Sequence, residues 1–330
     1  MKLLVAGPET LGEVVCSTAL LRCMQQQLPV LELHYWVAPH LGAGLVHNTF
    51  INHLHLLEDD PDLLPASDFD QLVDFRPSRS LRQWAASHRI AYLSAHNSFL
   101  VSFLSEHFGW YQHSDQPLPL QYFEVVRSLG VQYDGRGLNY FLGVADEIAP
   151  ADIPLSHSAG YLALVVGESG YDKQVPLPLI SAFCQRFTLP IILVNSTGAS
   201  ADAAALARID PDRIYNACGK FTLNETADLL RRAKLVVSNE NDLMQVAVAF
   251  NRPLLVCRSA RGASPFFPPL YPKAQHRQGA ATPFASWVWP AASPALLRKA
   301  AQGILGKREK LWVEQGLKLA SSFWQGKETA

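Results

Sequence analysis

The sequence predicts an α/β protein of two doubly wound halves, each an open, mostly parallel sheet covered by helices. Three observations carry this. Short apolar runs of strand length alternate with helix-length segments from Leu3 to Leu93, and the pattern resumes from Tyr161 to Val256. Between the two series, Asp146 to Gly160 holds Pro150, Pro154, Ser156 and Ser158 with little periodicity, which marks a domain boundary. The chain has 330 residues, more than the roughly 250–300 at which single cores stop growing. The expected domains are therefore 1–155 and 156–330.

Taken in order, Leu3–Ala6 is the first strand and Gly7–Glu13 its turn, followed by a helix over Val14–Leu28 with Val15, Ala19, Leu20 and Cys23 inward. Strands are expected at Glu32–Ala38, Leu54–Leu57, within Asp68–Phe75, and at Arg89–Leu93. Short helices fall at Leu41–Val46 and Ser80–Ser87. A helix rich in Phe and Leu is expected over Asn97–Gly109, and another over Leu120–Leu129 that closes at Gly130. The second series has strands at Tyr161–Val166, Pro190–Val194, Arg213–Tyr215, Leu235–Val237 and Leu254–Val256. Its helices lie near Leu177–Phe187, Ala199–Arg208 and Leu223–Arg232. Thr222 with Glu225 three residues on is a capping box for the last of these. Trp287–Trp289 is a last short strand, and Ala295–Leu305 and Lys310–Trp324 are helices, the terminal one available to pack across the seam between halves.

Composition narrows the function. Apolar residues make up 48%, charged residues 17%, and the formal net charge is -1, which leaves no electrostatic footprint for nucleic acid. Five scattered cysteines with no CxxC spacing fit a reducing compartment rather than a disulfide or zinc framework. No signal-type or membrane-spanning segment is expected, so the chain reads as cytoplasmic, with peripheral contact at the inner face of the membrane left open. His53 and His55 alternate on a strand edge. With no third ligand near them in sequence, they read as structural or surface residues rather than a metal site.

Four turns could carry chemistry. Ala233–Cys257 is a βαβ unit whose polar group, Ser238 to Asp242, sits where open sheets place ligands, outside the carboxyl ends of strands. The plainer reading of that group is a helix cap, with Asn241 or Asp242 as N-cap. Glu13, beside Gly12 at the first strand-to-helix turn, could take a proton from a sugar hydroxyl, or could simply be a first-turn acid favoured by the helix field. In Gly167–Lys173 the glycines permit a tight path, and Lys173 offers a point charge for phosphate. Ser196 and Thr197 could add donors after the next strand or form a cap.

Together these marks resemble glycosyltransferase family 9, the ADP-heptose:lipopolysaccharide heptosyltransferases. Leu11-Gly12-Glu13-Val14 is similar to the family's Leu/Ile-Gly-Asp-Val turn, whose acid is the catalytic base. Asp172-Lys173-Gln-Val-Pro176 is similar to its Asp-Lys-x-Trp-Pro. Ala233 to Gln245 resembles its Ala-x-Leu-Val-Val-x-x-Asp-Thr-Gly-x-x-His, with Glu240 for the acid, Asn241-Asp242 for Thr-Gly, and Gln245 for the histidine. The resemblance implies the GT-B architecture, two Rossmann-like domains with a cleft between them. It implies transfer of a sugar, by family default heptose from ADP-heptose, to a lipopolysaccharide core or related glycan hydroxyl, with inversion and without a metal. Glu13 would be the base and Lys173 a phosphate contact, while Gly12, Ser196, Thr197, Glu240, Asn241, Asp242 and Gln245 would line the donor site. The substitutions also fit an alternative, an inactive relative that binds or assembles.

Overall fold

In the computed structural model, residues 1–58, 60–64, 68–94, 116–167, 175–259, 268–273, 283–289 and 305–325 are described. The strands are β1 Lys2–Ala6, β2 Glu32–Val37, β3 His53–Leu56, β4 Gln71–Asp74, β5 Ala91–Ser94, β6 Leu162–Val165, β7 Ile191–Val194, β8 Ile214–Asn216, β9 Leu235–Asn239, β10 Leu254–Ser259 and β11 Phe284–Trp289. The helices are α1 Leu11–Gln27, α2 Arg79–Ser87, α3 Leu118–Val125, α4 Leu177–Arg186, α5 Ala201–Ala207, α6 Leu223–Arg232, α7 Asp242–Ala249 and α8 Lys307–Trp324. The helix expected over 97–109 and all but the last residue of the one expected at 295–305 lie outside the described residues.

The strands form two all-parallel sheets, ordered β3-β2-β1-β4-β5 and β11-β10-β9-β6-β7-β8. Both are doubly wound, as expected. Each is buried on both faces at its centre, which is why β1 and β9 read as continuous apolar runs rather than alternating ones. Leu3, Leu4 and Val5 of β1 are fully buried, as are Leu235, Val236 and Val237 of β9. Each such side chain contributes about 1.5–3 kcal/mol when removed from water.

The chain divides into two compact units, Met1–Phe141 with Pro265–Leu270, and Leu142–Ser264 with Tyr271–Ala330. The Pro-rich stretch Asp146–Gly160, read from sequence as the boundary, belongs to the second unit. Its anchor is Asp228 on α6, a fully buried carboxylate that accepts from the Ile148 N–H at 3.0 Å. Arg231 and Arg232 both pair with Asp228 at 2.6 Å, so its charge is compensated one turn away on the same helix. In the first unit, Arg22 of α1 plays the corresponding part. It grips Asp134 through two 2.8 Å hydrogen bonds and also bonds Asn139, fixing the extended segment after Gly130.

Two boundaries moved for physical reasons. α1 begins at Leu11, three residues before the apolar periodicity, because Thr10 caps it by accepting from the Glu13 N–H. Gly12 and Glu13 are thus in the first helical turn. The segment at 41–46 is a 3-10 helix, Pro39–Gly44, as a Pro-led stretch with two glycines favours over a full α-turn. The terminal helix α8 spends its apolar side within the second unit, against β11 and α4. Trp287 stacks on Trp312 at 3.8 Å and 8°, and its indole N–H donates to the Trp312 carbonyl at 2.9 Å.

Candidate functional site

In the second sheet β6 continues toward β7 on one side, while its other neighbour β9 continues toward β10. The topological switch point therefore falls between β6 and β9, and a recess lies at their carboxyl ends. It is a solvent-open space of about 410 Å³ lined by Val166, Gly167, Val175, Asp202, Ser238 and Asn239, among others. Gly167 sits at φ 81, a left-handed conformation that turns the chain off β6 and that side chains with a Cβ adopt only at a cost. Cys257 forms part of the wall. Complete burial pushes its thiol far above the ordinary range, so it is a neutral, inert surface and not a nucleophile.

The polar group Ser238 to Asp242 resolves into distinct roles. Asn241 is the N-cap of α7, its Oδ1 accepting from the Met244 N–H at 2.9 Å. The Ser238 hydroxyl lies 2.9 Å from the same oxygen. With Oδ1 so engaged, the orientation of the amide is fixed, and its Nδ2 is a buried donor with no hydrogen-bond partner among the described residues. One turn along the same helix, Gln245 Oε1 is a buried acceptor in the same condition. The capping reading of this turn holds for Asn241, which, like Gln245, Glu240 and Arg258, is not among the residues lining the recess.

Glu240 is an ion-pair member, accepting from Arg258 Nε at 2.9 Å, with side chains 17% and 26% exposed. Asp242 opens α7, where the helix field favours an acid, and it is not among the residues lining the recess. Ser196 and Thr197 are exposed on the loop after β7, and neither lines the recess. The cap of α5 is Ser200, not Ser196. Lys173 lies outside the described residues.

Sequence reasoning missed two groups here. Arg258 stands at the end of β10, where the pairing Cys257↔Asn239 brings it beside Glu240. The signal was a lone cation closing an apolar strand run. Asn195, at the end of β7, is 6% exposed and leaves its Oδ1 without a partner among the described residues.

In the first unit Glu13 is half-buried on the first turn of α1, and its Oε2 accepts from the Thr10 hydroxyl at 3.2 Å. At that sheet's own switch point, between β1 and β4, lies the fully buried Asp74. It accepts from the Tyr92 hydroxyl at 2.6 Å and the Arg76 N–H at 2.7 Å, and burial pushes its carboxyl up despite those donors. Sequence reading passed over Asp74 as the end of a strand. It likewise left His53 and His55 without a further ligand, whereas β2 brings Glu32 and His34 to them.

Two Rossmann-like units, the second with a polar recess at its switch point, define the class by architecture alone. The family comparison is narrower: residues 161–261 match the model of glycosyltransferase family 9 (heptosyltransferase). The matched segment runs from the start of β6 to just past β10, the strands that build the recess. No curated protein matches by sequence. Among solved structures, the glycosyl transferase family 9 protein of Veillonella parvula DSM 2008 is similar at 14% identity and TM-score 0.69, covering 98% of this chain and 97% of its own. The E. coli ADP-heptose lps heptosyltransferase II is similar at 14% identity and TM-score 0.67, over 98% and 99%. E. coli heptosyltransferase WaaC with ADP follows at 15% identity and TM-score 0.61, over 97% and 99%. At such identities these likenesses establish the fold. Among the described residues no helix is long and apolar enough to cross a membrane.

Proposed function

We propose that the protein transfers a sugar from a nucleoside-diphosphate donor to a hydroxyl of a lipopolysaccharide core or related glycan, with inversion and without a catalytic metal. The observation that carries this is the coincidence of the family 9 segment, residues 161–261, with the strands and loops around the switch-point recess. The Asn241 Nδ2 donor, the Gln245 Oε1 acceptor and the N–H groups opening α7 would take the nucleotide's polar edges. Arg258 and Lys173 would supply positive charge to the leaving diphosphate, the part of the reaction that most needs electrostatic help. Ser196 and Thr197 would act from the rim, and Glu240 would hold Arg258 in place. Glu13, following Gly12, would take the proton from the acceptor hydroxyl, oriented by Thr10. ADP-heptose is the donor favoured by the family match, and a cytoplasmic enzyme working at the inner membrane face fits the acceptor.

A thermal-shift panel of nucleoside diphosphates and nucleotide sugars tests this. Ligand at a hundred times its Kd stabilises the fold by about 2.7 kcal/mol, and ADP or ADP-heptose is expected to give the largest shift. No shift with any member of the panel would overturn the reading. Glu13→Gln should then abolish turnover while leaving donor affinity nearly unchanged. Equal loss of both would make Glu13 a helix-cap residue, as its Thr10 contact alone would suggest. The replacement of Thr-Gly-x-x-His by Asn241, Asp242 and Gln245 favours a second reading, a binding or assembly protein. Tight nucleotide binding with no transfer to any glycan would select it.

A further inference from the structure

We propose that Glu32, His34 and His53 form a divalent transition-metal site on the first sheet, with His55 as the group that orients His34. The inference rests on no part of the sugar-transfer reading.

The strand pairing creates the cluster. β2 and β3 run parallel with His34 opposite His53. Residues two apart on a strand share a face, so Glu32 and His34 on one strand meet His53 and His55 on the other. Glu32 Oε1 lies 3.1 Å from His34 Nε2 and 3.3 Å from His53 Nε2, and all three ligand atoms lie within 4.8 Å of one another. A tetrahedral ion with ligands at its ordinary 2.0–2.1 Å needs them about 3.3 Å apart, close to the two carboxylate–imidazole separations. The rings of His34 and His53 are stacked at 4.4 Å and 22°, so His53, the exposed one, would swing out of the stack to aim its Nε2 lone pair at the ion.

His34 has the features of a fixed ligand. It is 5% exposed, and its ring is held edge-on by Phe69 at 5.0 Å. Its Nδ1 is 2.9 Å from His55 Nε2. Donation from Nδ1–H to that nitrogen would leave the Nε2 lone pair for a metal, the arrangement that sets tautomer and orientation in histidine–metal sites. Glu32 and His53 are 39% and 53% exposed in their side chains, which gives an ion a way in. Lys2 Nζ, 3.8 Å from Glu32, lies against the other oxygen, Oε2, and leaves Oε1 to the cluster. Two imidazoles and one carboxylate suit Zn²⁺, Co²⁺ or Ni²⁺ rather than the oxygen-seeking Ca²⁺ and Mg²⁺, with water completing the shell. The ion would cross-link β2 to β3, an edge strand four residues long.

The test is a Co²⁺ titration of the full, untagged chain after chelator treatment, read by the visible ligand-field bands, with Zn²⁺ thermal shifts in parallel. One Co²⁺ per chain is expected, displaceable by Zn²⁺, with Zn²⁺ raising the Tm. His53→Ala removes an exposed side chain and Glu32→Gln keeps the carboxylate's shape. Each should abolish the bands and the Tm rise while the apo Tm stays near that of the parent. His55→Gln should weaken Co²⁺ by roughly tenfold to a hundredfold while keeping the bands, as loss of an orienting partner does. Failure of the parent to bind either metal would overturn the site. So would equal binding by parent, His53→Ala and Glu32→Gln, which would mean that the cluster is only a hydrogen-bonded His–Glu group.

Discussion

The Arg258 guanidinium donates through Nε to Glu240 Oε1 at 2.9 Å, joining the end of β10 to the turn after β9. The pair is only partly screened, and truncating one member leaves the other's charge in place beside the proposed diphosphate. Arg258→Ala should therefore weaken ADP binding by about tenfold or more, at least 1.4 kcal/mol. Glu240→Ala should do so less, because a cation left near the phosphates still attracts them. Isothermal titration with ADP on the two variants checks the order. A larger loss in Glu240→Ala would assign the acid a direct ligand contact.

Asn241 combines a structural bond with an unpaired donor, and the two can be separated by substitution. Asn241→Ala removes the cap on the Met244 N–H and should cost roughly 1 kcal/mol of stability. Asn241→Ser keeps a capping oxygen but removes the amide donor. It is expected to hold the Tm to within a degree or two of the parent yet lose nucleotide affinity in the thermal-shift panel. Denaturant unfolding of both variants, with and without ADP, reads the two effects independently.

Gly316 of α8 faces the indole of Trp287, and a Cβ built there would overlap the ring carbon Cζ2. The ring is locked between Trp312 and Phe183 and has nowhere to go. Gly316→Ala is therefore expected to destabilise by about 1–3 kcal/mol, the ordinary cost of overpacking, although alanine is the better helix former. Chemical denaturation decides it, since a gain in stability would mean that α8 shifts freely on β11.

His157 is 1% exposed, with Nε2 placed 3.1 Å from both the Ile191 and Arg213 carbonyl oxygens. Burial holds its imidazole below the ordinary value of 6.5, against those two bonds, which act to raise it. On acidification the unfolded chain takes up this proton before the folded one does. The contribution to stability is thus complete above pH 6.5 and is lost as the pH falls through that value toward the lower folded pKa. His157→Gln should flatten the fall in stability over that window when unfolding is measured from pH 7.5 downward. An unchanged slope would show that other groups set it.

Much of this was legible in the sequence because it is local. Buried parallel strands announce themselves as apolar runs, and the capping box at Thr222 and Glu225 needs only four consecutive residues. Those signals determined the two doubly wound sheets and nearly every described element. What they could not supply was pairing between residues far apart in the chain. Glu240 reads as a donor-site acid until β10 lies beside β9 and gives it Arg258. His53 and His55 read as structural or surface residues with no third ligand near them until the β2–β3 register sets Glu32 and His34 beside them. The Pro-rich boundary reads as a linker until Asp228, eighty residues on, takes the Ile148 N–H. Local propensity fixes which elements form, because it depends on backbone and side-chain preferences within a few residues. Strand order and register fix which charges meet, because these are chosen by the burial of whole sheet faces, a property that no single stretch of sequence holds.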